Sequence, residues 1–170
     1  TKIVAERVLL SYQDQFQVHC IRPATVCGWS PRMRLDVSVN MLSLQALKNG
    51  RITVFGGQQT RPNIHIQDMV RVYQHFLEKP DLPSGCYNAG FENISILDIA
   101  EQVKEKVPSE ILISESNDPR SYRQNSDKLK STGFAPKFSI DDAIKEVISN
   151  YHSGELVDED QCYTVRWMKH

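Results

Sequence analysis

The sequence predicts an α/β protein, and three observations carry that expectation. Short runs of β-branched and apolar residues, such as Ile52–Phe55 and Ile111–Ile113, are separated by stretches in which apolar residues recur at helical spacing. Helix starts and stops carry their own markers. Ser95 with Asp98 and Ser139 with Asp142 have the spacing of capping boxes, and Asn49-Gly50 closes a periodic stretch. Strand-like and helix-like segments alternate along the chain, which is the pattern of a parallel sheet covered by helices.

Val4, Ala5, Val8, Leu9 and Tyr12 open the chain as an amphipathic helix. A strand follows over Val18–Arg22 and ends on Pro23, and Cys27–Asp36, with Gly28, Ser30, Pro31 and two arginines, reads as a loop. Val37, Met41, Leu44 and Leu47 mark a second helix, and Ile52–Phe55 a strand closed by Gly56-Gly57. Asn63–Ile66 is a further extended piece, after which Asp68 opens a third helix with Met69, Val72, Tyr73, Phe76 and Leu77 on one face. Cys86–Ala89 and Ile111–Ile113 are strands. Leu97, Ala100 and Val103 form one later helix, and the stripe from Ile140 to Tyr151 forms another. Beyond Gly154 the tail is acidic and then aromatic, with no assignable period.

Composition narrows the function classes. The 170 residues suffice for one domain with a real core, and 40 % hydrophobic against 24 % charged residues is a soluble, globular balance. The formal net charge of -1 excludes a general attraction to nucleic acid or anionic lipid, so any anion must be met by a few placed residues. The four cysteines, Cys20, Cys27, Cys86 and Cys162, form no C-x-x-C pair; small buried hydrophobes are expected for Cys20 and Cys86, and no metal site. No run of about 18 apolar residues occurs and no signal-peptide pattern opens the chain, so a reduced, cytoplasmic protein without a membrane span is expected. Helical periodicity begins at once after Thr1, as in a chain cut at its start. No G-x-G-x-x-G follows any strand, so the phosphate-cradling turn of a dinucleotide fold is not in this sequence.

Four segments carry more specific information. They are Thr1-Lys2-Ile3-Val4-Ala5-Glu6; Arg22-Pro23-Ala24-Thr25-Val26-Cys27-Gly28; the stretch from Phe55-Gly56-Gly57 through Arg61-Pro62-Asn63-Ile64-His65 to Asp68; and Asp118-Pro119-Arg120-Ser121-Tyr122-Arg123-Gln124-Asn125-Ser126-Asp127-Lys128, followed by Gly133-Phe134-Ala135-Pro136. In this order they resemble the carboxy-terminal half of the extended short-chain dehydrogenase/reductase family, which includes NAD-dependent nucleotide-sugar epimerases, dehydratases and decarboxylases. The third segment is the most specific; it resembles the family's F/Y-G-[DG]-G-x-x-x-R-[DP]-x-[IVF]-H-V-x-D.

The resemblance implies roles for individual residues. Lys2 matches the lysine four positions after the family's catalytic tyrosine, which here would precede Thr1. A tyrosine hydroxyl near its ordinary pKa of about 10 is a poor base at neutral pH, and a cation one helical turn away lowers that value. Lys2 also matches the family's contact to the nicotinamide ribose. Pro23, Ala24 and Val26 match the strand end under the nicotinamide, with Thr25 facing substrate where many members have Asn. Arg61 and Arg120 match arginines that reach the substrate diphosphate, for which a guanidinium fork is suited. Asn40 is a candidate nucleotide contact; Arg32, Arg34 and Arg123 are less specific candidates, and His65 and Asp68 are expected to fix a turn and cap a helix.

The architecture so implied is the trailing part of a Rossmann-like parallel sheet plus the small substrate-binding lobe. Residues 1–28 would be the remainder of the NAD-binding domain, 29–152 mainly the substrate lobe with interleaved sheet elements, and 153–170 a tail. NAD and a nucleotide-diphosphate sugar are the implied ligands, and a homodimer the implied state of the full-length protein. A chain without the glycine turn is expected to hold NAD weakly and to be inactive alone. Two other readings stay open on the residues: a non-catalytic member of the same fold that senses a dinucleotide or a partner, and an unrelated small α/β module.

Overall fold

The computed structural model describes residues 1–116 and 120–168; Asp118 and Pro119 of the fourth segment lie outside the described residues. The α/β expectation holds, and three of the four strand pairs among the described residues are parallel. β1 (His19–Pro23) runs parallel to β5 (Gly85–Ala89), β2 (Thr25–Cys27) parallel to β4 (Thr60–His65), and β3 (Arg51–Phe55) parallel to β7 (Glu110–Ser114). The antiparallel addition is β6 (Glu92–Ser95) on β4, a short strand whose pattern the sequence does not display. What reads as one strand ending at Pro23 is two. Ala24 separates β1 from β2, its N–H donating to Ala89 O at 2.8 Å, and the chain steps from one sheet to the next.

α1 (Lys2–Leu10) forms as its periodicity predicts but buries no residue; Val4 and Val8 remain 63 % and 54 % exposed. The other helices are packed. α2 (Ser38–Asn49) ends on Gly50 at φ 60°, a left-handed position that costs glycine least, and α6 (Ile140–Ser153) begins on the full Ser139–Asp142 capping box. Their apolar faces meet α4 (Ile96–Lys106) and β3 in the largest core cluster, around Leu42, Ile52, Val54, Ile99 and Ile144. α3 (Ile66–Glu78) covers β1 and β5 through Val72, Phe76, Tyr87 and Ala89, with Leu129 of the short α5 (Asp127–Lys130) closing that cluster.

The start of α3 corrects the reading of Asp68. His65 is the N-cap, its Nδ1 accepting from Gln67 N at 3.1 Å, while Asp68 sits inside the first turn and is fully buried. The Asp68 carboxylate instead accepts from the backbone N–H of Lys137 and Phe138 and from Arg71, fastening the turn before α6 to α3. The tail forms a 3-10 turn (Asp160–Cys162) and α7 (Thr164–Trp167), with Leu156 and Cys162 buried against the loop 29–35, α2 and α6. No helix among the described residues is long and apolar enough to cross a membrane.

Glu92 shows how charge is distributed at the start of α6. Its Oε1 accepts from Ile140 N at 2.6 Å, but burial, with Asp142 and Asp141 nearby, raises its carboxyl above the usual range despite that bond. A carboxyl whose folded pKa is raised binds its proton more tightly in the folded state. Its contribution therefore falls as pH rises from the ordinary carboxylate value through the folded one, and at neutral pH it opposes folding. Glu92→Gln keeps an acceptor for Ile140 and removes the charge. Urea denaturation at pH 7 should find the variant more stable than wild type, with the gap narrowing as pH falls through the carboxylate range. A variant less stable at pH 7 would contradict this account.

Candidate active site

A cleft of about 970 Å³ opens beyond the carboxyl end of β1. Ligands of open α/β sheets sit at such strand ends, because the loops that follow the strands can diverge there. Pro23, Ala24, Thr25 and Val26 form its floor; the loop after β2 supplies Arg32, Met33, Arg34 and Asp36; Arg61 enters from β4; and Arg120, Tyr122, Arg123 and Gln124 form a further wall beside it. Five arginines thus border one cleft in a chain of net charge -1.

Arg61 and Arg120, far apart in sequence, are brought together. Arg61 Nη1 donates to the carbonyls of Thr60, at 3.0 Å, and of Arg120, and its guanidinium lies 5.2 Å from the Tyr122 ring centroid. The segment after Arg120 is laid along the start of β4: Ser121 Oγ accepts from Thr60 N at 3.0 Å, and Tyr122 N donates to Thr60 O at 3.3 Å. Gln124 then turns back across the strand end. Its Nε2 donates to Arg22 O at 2.9 Å, and Asn93 clamps its backbone from both sides. Its Oε1 is buried beside Ala24 and Gly90.

Asn40 lines the cleft, yet its side chain is occupied. Oδ1 accepts from Gly28 N at 3.0 Å and Nδ2 donates to Arg34 O at 2.9 Å, so it fixes the loop from inside. Gly28, at φ 99°, lies against the His65 ring and Glu146; any side chain there would meet His65 Nε2 at 3.0 Å. Because His65 Nδ1 accepts from a backbone N–H, the neutral ring carries its proton on Nε2, which stands 3.2 Å from Glu146 Oε2 without hydrogen-bond alignment. Glu146 also accepts from Trp29 N at 3.2 Å. His65 is thus part of the support beneath the cleft. Cys27, next to it, is no nucleophile: burial, with Glu92 and Glu146 adding, pushes its thiol up to about 12.

Lys2 is exposed and does not line the cleft. One turn further along α1, Glu6 forms a two-pronged pair with Arg22 of β1, at 2.9 and 2.5 Å, which holds the first half of α1 beside the carboxyl end of that strand. The Arg22 guanidinium holds the Glu6 carboxyl below its usual range. Sequence reasoning missed Asp36, Tyr122 and Gln124. Tyr122 and Gln124 lie within the fourth segment, so the signal was position in a motif; Asp36 stands at the end of a loop and has no periodicity to reveal it.

The fold has relatives among solved structures. The fold matches dTDP-glucose 4,6-dehydratase from Bacillus anthracis, solved with NAD, at TM-score 0.74 and 20 % identity over 95 % of this chain and 52 % of that one. It matches UDP-N-acetylglucosamine 4-epimerase from Bacillus cereus at TM-score 0.76 and 17 % identity, over 95 % of this chain and 55 % of that one. In sequence, 107 residues are 29 % identical to an uncharacterized UDP-glucose epimerase, YtcB, of Bacillus subtilis, over 62 % of this chain and 34 % of the relative. The chain thus spans about a third of that relative's length and about half that of the solved structures. Residues 1–90 match the model of the NAD dependent epimerase/dehydratase family, and with the parallel α/β fold and the cleft at its strand ends this places the chain in that family.

Proposed function

We propose that this chain supplies the sugar-nucleotide pocket of an NAD-dependent nucleotide-sugar epimerase or dehydratase. The observation that carries the reading is the meeting of Arg61 and Arg120 in one cleft bordered by further arginines. A diphosphate spreads its charge over several oxygens, and a guanidinium fork can meet two of them at once. In this reading Arg61 and Arg120 hold the diphosphate, with Arg34 and Arg123 adding charge at the rim. Thr25, on the floor, offers a hydroxyl to the sugar, and Asn40 acts by shaping the loop.

NAD fits the same strand end. Pro23, Ala24 and Val26 present small or apolar side chains there, as a flat ring and its ribose require, and Lys2 would approach from α1 beside Arg22. The cofactor, when bound, accepts and returns a hydride, chemistry that side chains cannot supply. Lys2 would lower the pKa of a neighbouring tyrosine and hold the ribose. The cleft walls orient the sugar and exclude water from it.

Isothermal titration of the chain with UDP, dTDP and ADP, each beside its own nucleoside, tests the reading. The diphosphates should bind at least tenfold tighter than the nucleosides, because the arginines meet the phosphates rather than the base. Equal affinity of every nucleotide and its nucleoside would rule out a diphosphate site in this cleft.

A further inference from the structure

The segment 155–168 takes no part in any sheet, yet it is anchored along its length to the loop that forms one wall of the cleft. Leu156 and Cys162 are buried with Met33, Leu35 and Val147, and Leu35 N donates to Cys162 O at 2.8 Å. Asp158 pairs with Lys48 of α2 and accepts from the Tyr163 hydroxyl at 2.8 Å. Two further contacts lead to cleft arginines, one through Asp36 and one directly. One oxygen of Asp36 accepts from Arg34 Nε at 2.9 Å while the other accepts from Thr164 N at 3.0 Å. The Arg32 guanidinium lies 6.0 Å from the Trp167 ring centroid.

We propose that residues 155–168 are a strap that positions Arg34 and Arg32 for an anionic ligand in the cleft, acting through Asp36 and Trp167. The proposal rests on the reading of the cleft as a diphosphate site. An arginine at a cleft rim samples many rotamers, and ordering it on binding costs affinity. Asp36 removes much of that freedom from Arg34, and the Thr164 N–H in turn fixes Asp36. Burial disfavours charge on Asp36, but Arg34 and the Thr164 N–H outweigh it and hold the carboxyl below its usual range, so the pair is charged at neutral pH. Linkage runs both ways: a ligand that engages Arg34 must also steady the strap. Asp36 and Trp167 are positioning residues in this scheme and need not touch the ligand.

Thr164→Pro is the sharpest test. Thr164 is the first residue of α7, where proline is tolerated, and Tyr163 before it has φ -119° and ψ 111°, a conformation that suits a residue preceding proline. The substitution therefore deletes the N–H that reaches Asp36 and little else. Thr164→Ala keeps that N–H and serves as the conservative control. On the full chain, hydrogen exchange at residues 29–37 should quicken several-fold in Thr164→Pro and not in Thr164→Ala. UDP affinity should fall roughly three- to tenfold in the proline variant, less than for a lost direct contact, because the missing bond acts on the ligand only through Asp36 and Arg34. Trp167→Ala, at an exposed ring, should weaken UDP about two- to fivefold. Unchanged UDP affinity in both Thr164→Pro and Trp167→Ala, or an equal loss in Thr164→Ala, overturns the proposal. If wild type does not bind UDP, the diphosphate reading falls and the ligand half of this proposal with it. Exchange at residues 29–37 then decides alone whether the tail holds the loop.

Discussion

Arg61→Ala is expected to weaken UDP binding by roughly ten- to a hundredfold, because a charge-assisted hydrogen bond contributes about 1.5–3 kcal/mol when its partner is left unmet. Two effects add. The variant loses a guanidinium from the cleft, and it also loses the donor that holds the Arg120 carbonyl and the cation beneath the Tyr122 ring. The wall from Arg120 to Gln124 is then still tied to Thr60 by Ser121 and by the Tyr122 backbone. Arg61→Lys separates the two contributions. It retains the charge but not the fork, so it should fall between wild type and alanine, and its affinity should remain salt-dependent where the alanine variant's is less so. Calorimetric titration at two ionic strengths reads both quantities. An alanine variant that binds UDP like wild type would remove Arg61 from the site and leave it the structural tie between β4 and the wall beside it.

How much of this was legible in the sequence differs by element. Ser139 and Asp142 announce the start of α6, and Gly50 the end of α2, because capping is chemistry between near neighbours in the chain. The convergence of Arg61 and Arg120 was legible only through the order of motifs; nothing local says that residues 59 positions apart share a carbonyl contact. Asp68 misled for the same reason. Its position before an apolar stripe suggests a cap, but its partners, Lys137 and Phe138, lie about 70 residues away, and an imidazole had already taken the capping place. The step at Ala24 escaped notice because periodicity gives the face of a strand and not the sheet that receives it. The tail was illegible throughout. It is held by single apolar residues, Leu156 and Cys162, and by backbone bonds to the loop, and neither leaves a period. α1 is the converse case. Its stripe is plain in the sequence, but a stripe states amphipathicity alone, and among the described residues none buries it.

Asp68→Ala should be strongly destabilising, by about 3–5 kcal/mol, the range for removing one partner of a buried ionic contact. The carboxylate is fully buried and meets three donors: Lys137 N, at 3.1 and 3.0 Å to its two oxygens, Phe138 N at 2.9 Å, and the Arg71 guanidinium. Alanine strands two backbone N–H groups in the interior and leaves the partly buried Arg71 with its stacking on Phe134 and no carboxylate. The damage reaches the cleft by a short path. The 137–138 turn precedes the Ser139 cap of α6, α6 carries Glu146, and Glu146 supports the turn at Gly28 and Trp29. Asp68→Asn discriminates between charge and shape. Its carbonyl oxygen, in the place of Oδ2, can still accept from both backbone donors, so it should recover part of the loss, while its amide nitrogen cannot accept from Arg71. Urea unfolding of wild type, Asp68→Ala and Asp68→Asn should therefore rank them in the order wild type, asparagine, alanine. A loss below about 1 kcal/mol in the alanine variant, the level of an ordinary solvent-exposed contact, would mean that water reaches the turn and that Asp68 does not anchor α6 to α3.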